Sequence, residues 1–259
     1  MEVVITASPE AAGAHAADII EVLVREHHEA RLGLATGSSP LVIYGELIRR
    51  HGAGRIRFDG VTAFMLDDYL GLPSGHPQSY RTYLEREFTD AVGIGRVQLK
   101  GPDVQRADVA CACDDYEELV VSPAVDLQLL GIGSDGHIGF NEPSSSLRSR
   151  TRIKTLTRQT RHDNARFFSA PDDVPRHVIT QGIGTILQAR HIVLIACGES
   201  KAVPVARAVE GPLTARFPAS AIQLHPHTTV VIDEAGSSAL ELADYYRDVY
   251  RSKPEWQRP

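Results

Sequence analysis

Cysteine is scarce in this 259-residue chain, which contains only Cys111, Cys113 and Cys197. Three cysteines cannot build a disulfide framework, so the sequence predicts a reducing, cytoplasmic setting. Cys111 and Cys113 stand two residues apart without a CxxC partner or a nearby histidine pair, which disfavours a zinc site.

The chain also lacks an excess of positive charge and any long apolar run. Its formal net charge is -6, which disfavours a general role on nucleic acid or on a membrane surface. The opening residues, MEVVITASPE, have no basic region followed by an apolar stretch, so no signal peptide is expected. No run approaches the ~18 apolar residues of a membrane-spanning helix. We therefore expect no nucleic-acid partner and no membrane association.

Short runs rich in Val, Ile and Leu alternate with amphipathic segments along the chain. The runs predict strands at Val3–Thr6, Arg31–Ala35, Val61–Leu66, Asp126–Leu130, His191–Ala196 and Thr229–Ile232. The amphipathic segments predict helices at Glu10–Glu26, Leu41–Arg50, Gln78–Phe88, Val109–Val120, Arg161–Phe168, Lys201–Glu210 and Ala239–Arg251. This alternation predicts one α/β domain over residues 1–259, a mostly parallel sheet with helices on both faces. Ligands bind such sheets beyond the carboxyl ends of the strands.

One segment stands apart from this alternation. Residues 143–162 include three consecutive serines and six Lys or Arg residues, but no Asp or Glu. The segment is either a solvated surface loop or part of a mobile lid over residues 143–180 that faces an anion.

The first candidate site follows the second predicted strand, where Thr36, Gly37, Ser38 and Ser39 precede Pro40. Ser39 is expected to cap the next helix, with Pro40 as its first residue. The turn is either a capped helix start and nothing more, or a phosphate cradle, because free N–H groups at a helix start favour an anion.

Two adjacent acids, Asp67 and Asp68, follow the third predicted strand. They form either a solvated turn or a site where one carboxylate serves as a general base. In an extended backbone their side chains point to different sides, so at most one is expected to act.

A glycine-rich stretch follows the fourth predicted strand. Its glycines, Gly131, Gly133 and Gly136, match the dinucleotide-binding pattern G-x-G-x-x-G. A dinucleotide site needs a helix directly after this pattern and an acidic residue further along, whereas here a proline and a run of serines follow. We therefore reject a dinucleotide site and infer a sharp turn around a ligand.

The same stretch carries three side chains with chemistry, Asp135, His137 and Glu142. They could bind a metal, although facial triads normally include a second histidine. The favoured interpretation is a histidine that shuttles protons near neutral pH, with its tautomer and orientation set by the two carboxylates.

Two basic residues complete the candidates. Arg166 and Lys201 are each more often surface charges when taken singly. Lys201 is the stronger candidate because it follows the carboxyl end of a predicted strand.

The sequence resembles the glucosamine-6-phosphate deaminase family over nearly its whole length. The segments LGLATGSSP, MLDDYLGLPSGHPQSY, GIGSDGHIGFNEPSSSLRSRTRIKTLT, NARFF and AIQLHPHTTVVIDE follow that family's pattern in order. The resemblance implies a Rossmann-like α/β fold and hydrolytic conversion of glucosamine 6-phosphate to fructose 6-phosphate and ammonia in amino-sugar catabolism. It also implies a homo-oligomer, and no metal or organic cofactor.

The resemblance further implies residue roles. His137 would open the sugar ring, and Asp135 and Glu142 would orient His137 and tune its acid–base behaviour. Asp67 would move the C2 proton of the sugar to C1. The substrate phosphate would be held by Thr36, Gly37, Ser38, Ser39, Arg166 and Lys201. Regulated relatives are activated by N-acetylglucosamine 6-phosphate between subunits, at positions that match Ser145, Arg152, Lys154 and Thr155.

The chain departs modestly from the family's pattern. The family commonly has Asp-Glu at Asp67-Asp68 and Thr-Gly-Ser-Thr or Thr-Gly-Gly-Thr at Thr36–Ser39, and the likeness loosens beyond Glu234. Three alternatives are a galactosamine-6-phosphate deaminase, a 6-phosphogluconolactonase and a non-catalytic sugar-phosphate sensor. The 6-phosphogluconolactonase family shares the Gly-x-Gly-x-Asp-Gly-His turn, but its sequences differ from this chain after the histidine.

Overall fold

The computed structural model describes residues 1–158, 160, 161, 165, 168 and 170–257. The strands are β1 (Glu2–Thr6), β2 (Arg31–Leu34), β3 (Thr62–Met65), β4 (Asp67–Tyr69), β5 (Leu99–Lys100), β6 (Leu127–Leu130), β7 (Arg152–Thr155), β8 (His177–Thr180), β9 (His191–Ala196) and β10 (Thr228–Asp233). The α-helices are α1 (Pro9–Glu26), α2 (Leu41–Gly52), α3 (Tyr80–Leu84), α4 (Asp90–Val92), α5 (Val109–Val121), α6 (Ile183–Ile186), α7 (Ala202–Val209) and α8 (Ala243–Arg251). A π-helical turn, Glu85–Thr89, joins α3 to α4, and short 3-10 turns include Glu199–Lys201 before α7.

Seven of these strands form one parallel sheet in the order β1-β10-β9-β6-β2-β3-β5. Its central strands are apolar at consecutive positions because helices cover both faces, and five of the six residues of β9 are buried. The predicted α/β class is therefore confirmed. Among the described residues, no helix is both long enough and apolar enough to cross a membrane.

The direction of winding reverses at the centre of this sheet. From β2 the chain moves outward through β3 to β5, returns to β6 on the other side of β2, and then moves outward to β9 and β10. The switch point therefore lies between β2 and β6, where open α/β sheets bind their ligands.

A second, smaller sheet was not predicted from the sequence. Strands β4, β8 and β7 pair antiparallel in that order, beyond the carboxyl end of β3. Strand β4 contains two carboxylates and β7 two cations, so neither has the apolar pattern on which strand prediction depends. The predicted helix at Arg161–Phe168 lies largely outside the described residues.

Candidate active site

Four neighbouring strands bring the predicted segments to one edge of the large sheet. Strands β9, β6, β2 and β3 are adjacent and parallel, so their carboxyl ends lie side by side. Lys201 follows β9, the glycine-rich stretch follows β6, Thr36–Ser39 follow β2, and Asp67 follows β3. Segments that are far apart in sequence thus meet across the switch point.

The turn after β2 is anchored by two tyrosines. The buried Tyr44 hydroxyl donates to the Ala35 carbonyl at 2.6 Å and accepts from the Ala35 N–H at 3.1 Å. The Tyr83 hydroxyl donates to the Gly37 carbonyl at 2.7 Å, and Gly37 adopts φ +89°, a region that favours glycine. The turn is therefore held from beneath while Gly37 and Ser38 are exposed.

The prediction that Ser39 caps α2 is wrong. Pro40 occupies the N-cap position without a side-chain bond, because its carbonyl accepts from the Ile43 and Tyr44 N–H groups, each at 3.0 Å. Helix α2 therefore begins at Leu41, the first residue of the predicted helix, and Pro40 precedes it rather than opening it. The Ser39 side chain instead lies toward the next loop, where a Cβ placed on Gly131 would be 3.6 Å from the Ser39 Cβ.

His137 and Asp135 form a pair within the glycine-rich loop. The Asp135 Oδ1 lies 2.6 Å from His137 Nδ1 and also accepts the His137 backbone N–H at 3.1 Å. The hydrogen bond from His137 lowers the pKa of Asp135. Because Nδ1 is engaged by the carboxylate, Nε2 is the ring nitrogen available to exchange protons with a ligand.

Glycines shape this loop as the sequence predicted. A Cβ on Gly133 would lie 2.1 Å from the His137 ring, and Gly136 adopts φ +83° with the Phe217 ring 2.5 Å from its Cβ position. Residues 131–151 form no helix, so the dinucleotide fingerprint lacks the helix start that it needs.

Asp67 is buried beside the same loop. Its side chain accepts a hydrogen bond from the Thr180 hydroxyl at 3.4 Å, and the same hydroxyl accepts the Phe140 backbone N–H at 3.2 Å. A Cβ on Gly139 would lie 3.2 Å from Asp67 Oδ2. Burial, and then the charge of Asp68, raise the pKa of Asp67 to about 8. A carboxylate with this pKa is a stronger base than an ordinary aspartate.

Asp68 has different surroundings, as expected for adjacent residues in an extended strand. Its Oδ1 accepts the backbone N–H groups of Tyr69 and Tyr80, each at 2.8 Å, and so ties β4 to the start of α3. Asp67 pairs with Thr180 in the small sheet, and Asp68 pairs with Ile179. Of the two acids, Asp67 is the one that contacts the glycine-rich loop.

Glu142 makes no hydrogen bond to His137 among the described residues, although the resemblance implies that it orients this histidine. The residue is 5% exposed, and its carboxylate accepts hydrogen bonds from the hydroxyls of Thr157, at 3.1 Å, and Thr160. Among the described residues, Asp135 is the carboxylate that contacts the imidazole. Within that part of the chain, no group of three His, Cys, Asp or Glu side chains is arranged to hold a metal ion.

Lys201 reaches the glycine-rich loop from the other side. Its Nζ donates to the Ile132 carbonyl at 2.7 Å, and burial lowers the pKa of this ammonium group. The loop after β6 therefore contacts Lys201 at Ile132 and approaches Ser39 at Gly131. Arg166, the other predicted cation, lies outside the described residues.

The residues predicted to bind a second anion lie in and before β7. The Ser145 hydroxyl is buried and has no hydrogen-bond partner among the described residues. Arg152 and Lys154 are partly buried at alternate positions of β7, whereas Ile153 and Thr155 are exposed.

Three contributions to the site escaped prediction from sequence. Thr180, Tyr83 and Thr157 carry no motif of their own and reach the site by pairing or packing with segments far away in the chain. A hydroxyl in a strand or helix is usually structural, so no local signal distinguishes these three.

Comparison with known proteins decides the family. Residues 6–232 match the family described as glucosamine-6-phosphate isomerases/6-phosphogluconolactonase. The chain belongs to this family. It is 58% identical over 258 residues to a protein named glucosamine-6-phosphate deaminase from Arthrobacter sp. strain FB24, with 99% of each chain covered. The resemblance predicted from the motifs is confirmed.

Solved structures place the chain within the glucosamine-6-phosphate isomerase/6-phosphogluconolactonase fold. A structure described as a monomeric glucosamine-6-phosphate deaminase has 41% identity and a TM-score of 0.89, covering 92% of this chain and 100% of that one. The 6-phosphogluconolactonase from Trypanosoma cruzi has 19% identity and a TM-score of 0.72, covering 93% and 97%. The second likeness extends to the fold alone.

Proposed function

We propose that this chain is a glucosamine-6-phosphate deaminase, which converts glucosamine 6-phosphate and water into fructose 6-phosphate and ammonia. The observation that carries the proposal is the contact between Asp67 and Gly139, two residues beyond His137. A strong carboxylate base therefore lies beside the loop that carries the histidine proton shuttle, which supports an aldose–ketose isomerisation. Relatives that bear the name of this deaminase support the same assignment.

The first step in this scheme is ring opening by His137. Its Nε2 takes the proton of the anomeric hydroxyl and delivers one to the ring oxygen as the bond between C1 and that oxygen breaks. Asp135 holds Nδ1 at 2.6 Å and keeps the imidazole in the orientation that this transfer needs.

The second step is proton transfer between carbons by Asp67. Its carboxylate removes the C2 proton of the open-chain aldehyde while O1 gains a proton, which gives an enolamine. Asp67 then returns a proton to C1, and the nitrogen loses one as the C2 imine forms. Water adds at C2 and ammonia leaves. The raised pKa of Asp67 suits removal of a weakly acidic C–H proton.

The substrate phosphate binds in this scheme between the turn Thr36–Ser39 and Lys201, with Arg166 as a further cation. Backbone N–H groups ahead of α2 and the helix dipole favour an anion there. The Lys201 ammonium supplies a charge whose partial burial strengthens its attraction for the phosphate.

The direct test is ammonia release from glucosamine 6-phosphate by the purified chain, with galactosamine 6-phosphate, unphosphorylated glucosamine and 6-phosphogluconolactone as parallel substrates. We expect ammonia and fructose 6-phosphate from the first substrate. Hydrolysis of the lactone with no ammonia from either amino sugar would assign the chain to the lactonase branch of the family. Turnover of galactosamine 6-phosphate but not of glucosamine 6-phosphate would change the assigned substrate to the galactosamine epimer.

We extend the proposal to regulation within a homo-oligomer, in which N-acetylglucosamine 6-phosphate binds at Ser145, Arg152, Lys154 and Thr155. The buried, unpartnered Ser145 hydroxyl and the two cations of β7 support an anion site. Rate curves with and without that compound, together with sedimentation, test it. The proposal would be overturned if the chain sediments as a monomer, as the solved relative is described, and if its rate curves with and without the compound are superimposable hyperbolas.

A further inference from the structure

The Glu142 carboxylate is held by two hydroxyls that the reaction scheme does not use. Its Oε1 accepts from Thr157 Oγ1 at 3.1 Å and from Thr160 Oγ1, and the two hydroxyls lie 2.9 Å apart. Both donors therefore converge on a single carboxylate oxygen.

These donors belong to one helical turn that is ordered by its own hydrogen bonds. Thr157 Oγ1 accepts the Thr160 N–H at 3.1 Å, and the Thr157 carbonyl accepts the Arg161 N–H at 3.0 Å. The spacing of three residues thus places the two hydroxyls on the same side of the turn. The turn presents them together rather than one at a time.

Burial of Glu142 makes these hydrogen bonds important for the orientation of its carboxylate. Glu142 is 5% exposed, and a buried carboxylate without donors is costly, so the orientation of this group depends on where its donors lie.

The turn is also tied to Asp67 through the small sheet. Thr157 follows the last residue of β7 by two positions, and β7 pairs with β8, whose Thr180 contacts the Asp67 carboxylate. One small sheet therefore links the Thr157 donor of Glu142 to the Thr180 donor of Asp67.

We propose that Thr157 and Thr160 are positioning residues that hold the carboxylate of Glu142, the acid that the resemblance implies for tuning His137 in ring opening, an inference that rests on the deaminase function proposed above. They act through Glu142 and do not touch the substrate. A loss of their hydroxyls should therefore impair turnover of the cyclic sugar rather than binding of its phosphate.

The test compares Thr157→Val, Thr160→Val and the double variant with the corresponding Thr→Ser variants. Valine keeps the shape and removes the donor, so we expect kcat on glucosamine 6-phosphate to fall about 10- to 100-fold with little change in KM. Serine keeps the donor and should restore kcat. Thr62→Val, at the amino end of β3 and on the opposite edge of the sheet, is the matched control.

A substrate analogue that cannot cyclise separates positioning from a general structural defect. The double variant should recover on this analogue, because an open-chain substrate does not need ring opening, whereas a damaged fold would lower turnover of both compounds. Wild-type kcat in the double variant, or equal losses for the serine and valine variants, would overturn the proposal.

A measurement without substrate tests the positioning of Glu142 separately from the proposed deaminase function. Hydroxyl protons bonded to a buried carboxylate exchange slowly, so NMR should detect one hydroxyl resonance from each threonine. Each resonance should disappear in the valine variant of its own residue. Glu142→Gln should shift both resonances. Unchanged resonances in Glu142→Gln would refute the positioning of Glu142. Absence of ammonia release by the wild type would instead refute the proposed function.

Discussion

The Asp67 carboxylate and Gly139 pack directly against each other, with Oδ2 only 3.2 Å from the Cβ position of residue 139. The same Cβ position lies 3.1 Å from the Thr180 hydroxyl, which bonds Asp67. Gly139 adopts φ +55°, so a side chain there would strain the backbone as well as crowd the base.

We therefore expect Gly139→Ala to lower kcat about 10- to 100-fold by displacing Asp67, while the protein stays folded. The matched control is Gly54→Ala, because Gly54 adopts φ +71° with no described atom within 4 Å of its Cβ position. Steady-state kinetics and thermal unfolding of both variants check this. Equal kinetic effects at the two sites would mean that crowding of Asp67 is unimportant.

Replacement of the base should uncouple binding from chemistry. Asp67→Asn keeps the shape but removes the proton acceptor, which typically costs 10²–10⁴-fold in rate. The variant should still bind the sugar phosphate and should fail to exchange deuterium at C2 of the substrate with water. Exchange at the wild-type rate would transfer the role of base to Asp68.

The raised pKa of Asp67 predicts opposite effects of pH on activity and stability. Activity that requires ionised Asp67 should rise with pH toward about 8. Between the ordinary carboxyl value of 3.8 and about 8, the folded state holds a proton that the unfolded chain has released. This contribution to stability is therefore full at low pH and is lost as pH rises, by up to about 1.4 kcal/mol per pH unit.

Urea unfolding at pH 5, 7 and 9 checks the stability half of this prediction. Asp67→Asn has no proton to lose at this position, so its free energy of unfolding should decline less with pH than that of the wild type. Parallel declines in the two proteins would show that Asp67 titrates normally.

Loss of the ammonium at Lys201 should weaken substrate binding more than chemistry. Hydrogen bonds to charged groups contribute about 1.5–3 kcal/mol, so Lys201→Ala should raise KM by roughly 10- to 150-fold. Unphosphorylated glucosamine should be a very poor substrate for the wild type and should respond little to the mutation. A variant with unchanged KM would remove Lys201 from the phosphate site.

His137→Gln should affect one step only. Turnover of cyclic glucosamine 6-phosphate should fall by about 10²-fold or more, because no group moves a proton to the ring oxygen. An analogue that cannot cyclise should restore part of the rate. If both substrates lost the same factor, His137 would serve a step after ring opening.

Six of the seven strands of the large sheet, all but β5, and the Asp135–His137 pair could be predicted from sequence. Strand His191–Ala196 has the predicted bounds, because a strand covered on both faces must be apolar at consecutive positions. Asp135 and His137 are two residues apart in a glycine-shaped turn, so their contact needs only local geometry.

Tertiary structure alone decided the surroundings of the two acids at the site. Asp67 meets Thr180, which is 113 residues away, because β4 and β8 pair in a sheet whose charged strands have no apolar pattern. Glu142 bonds Thr157 and Thr160 rather than His137 because a buried carboxylate takes the donors that packing brings to it. Local sequence records which groups can donate and accept, but burial and strand pairing determine which of them meet.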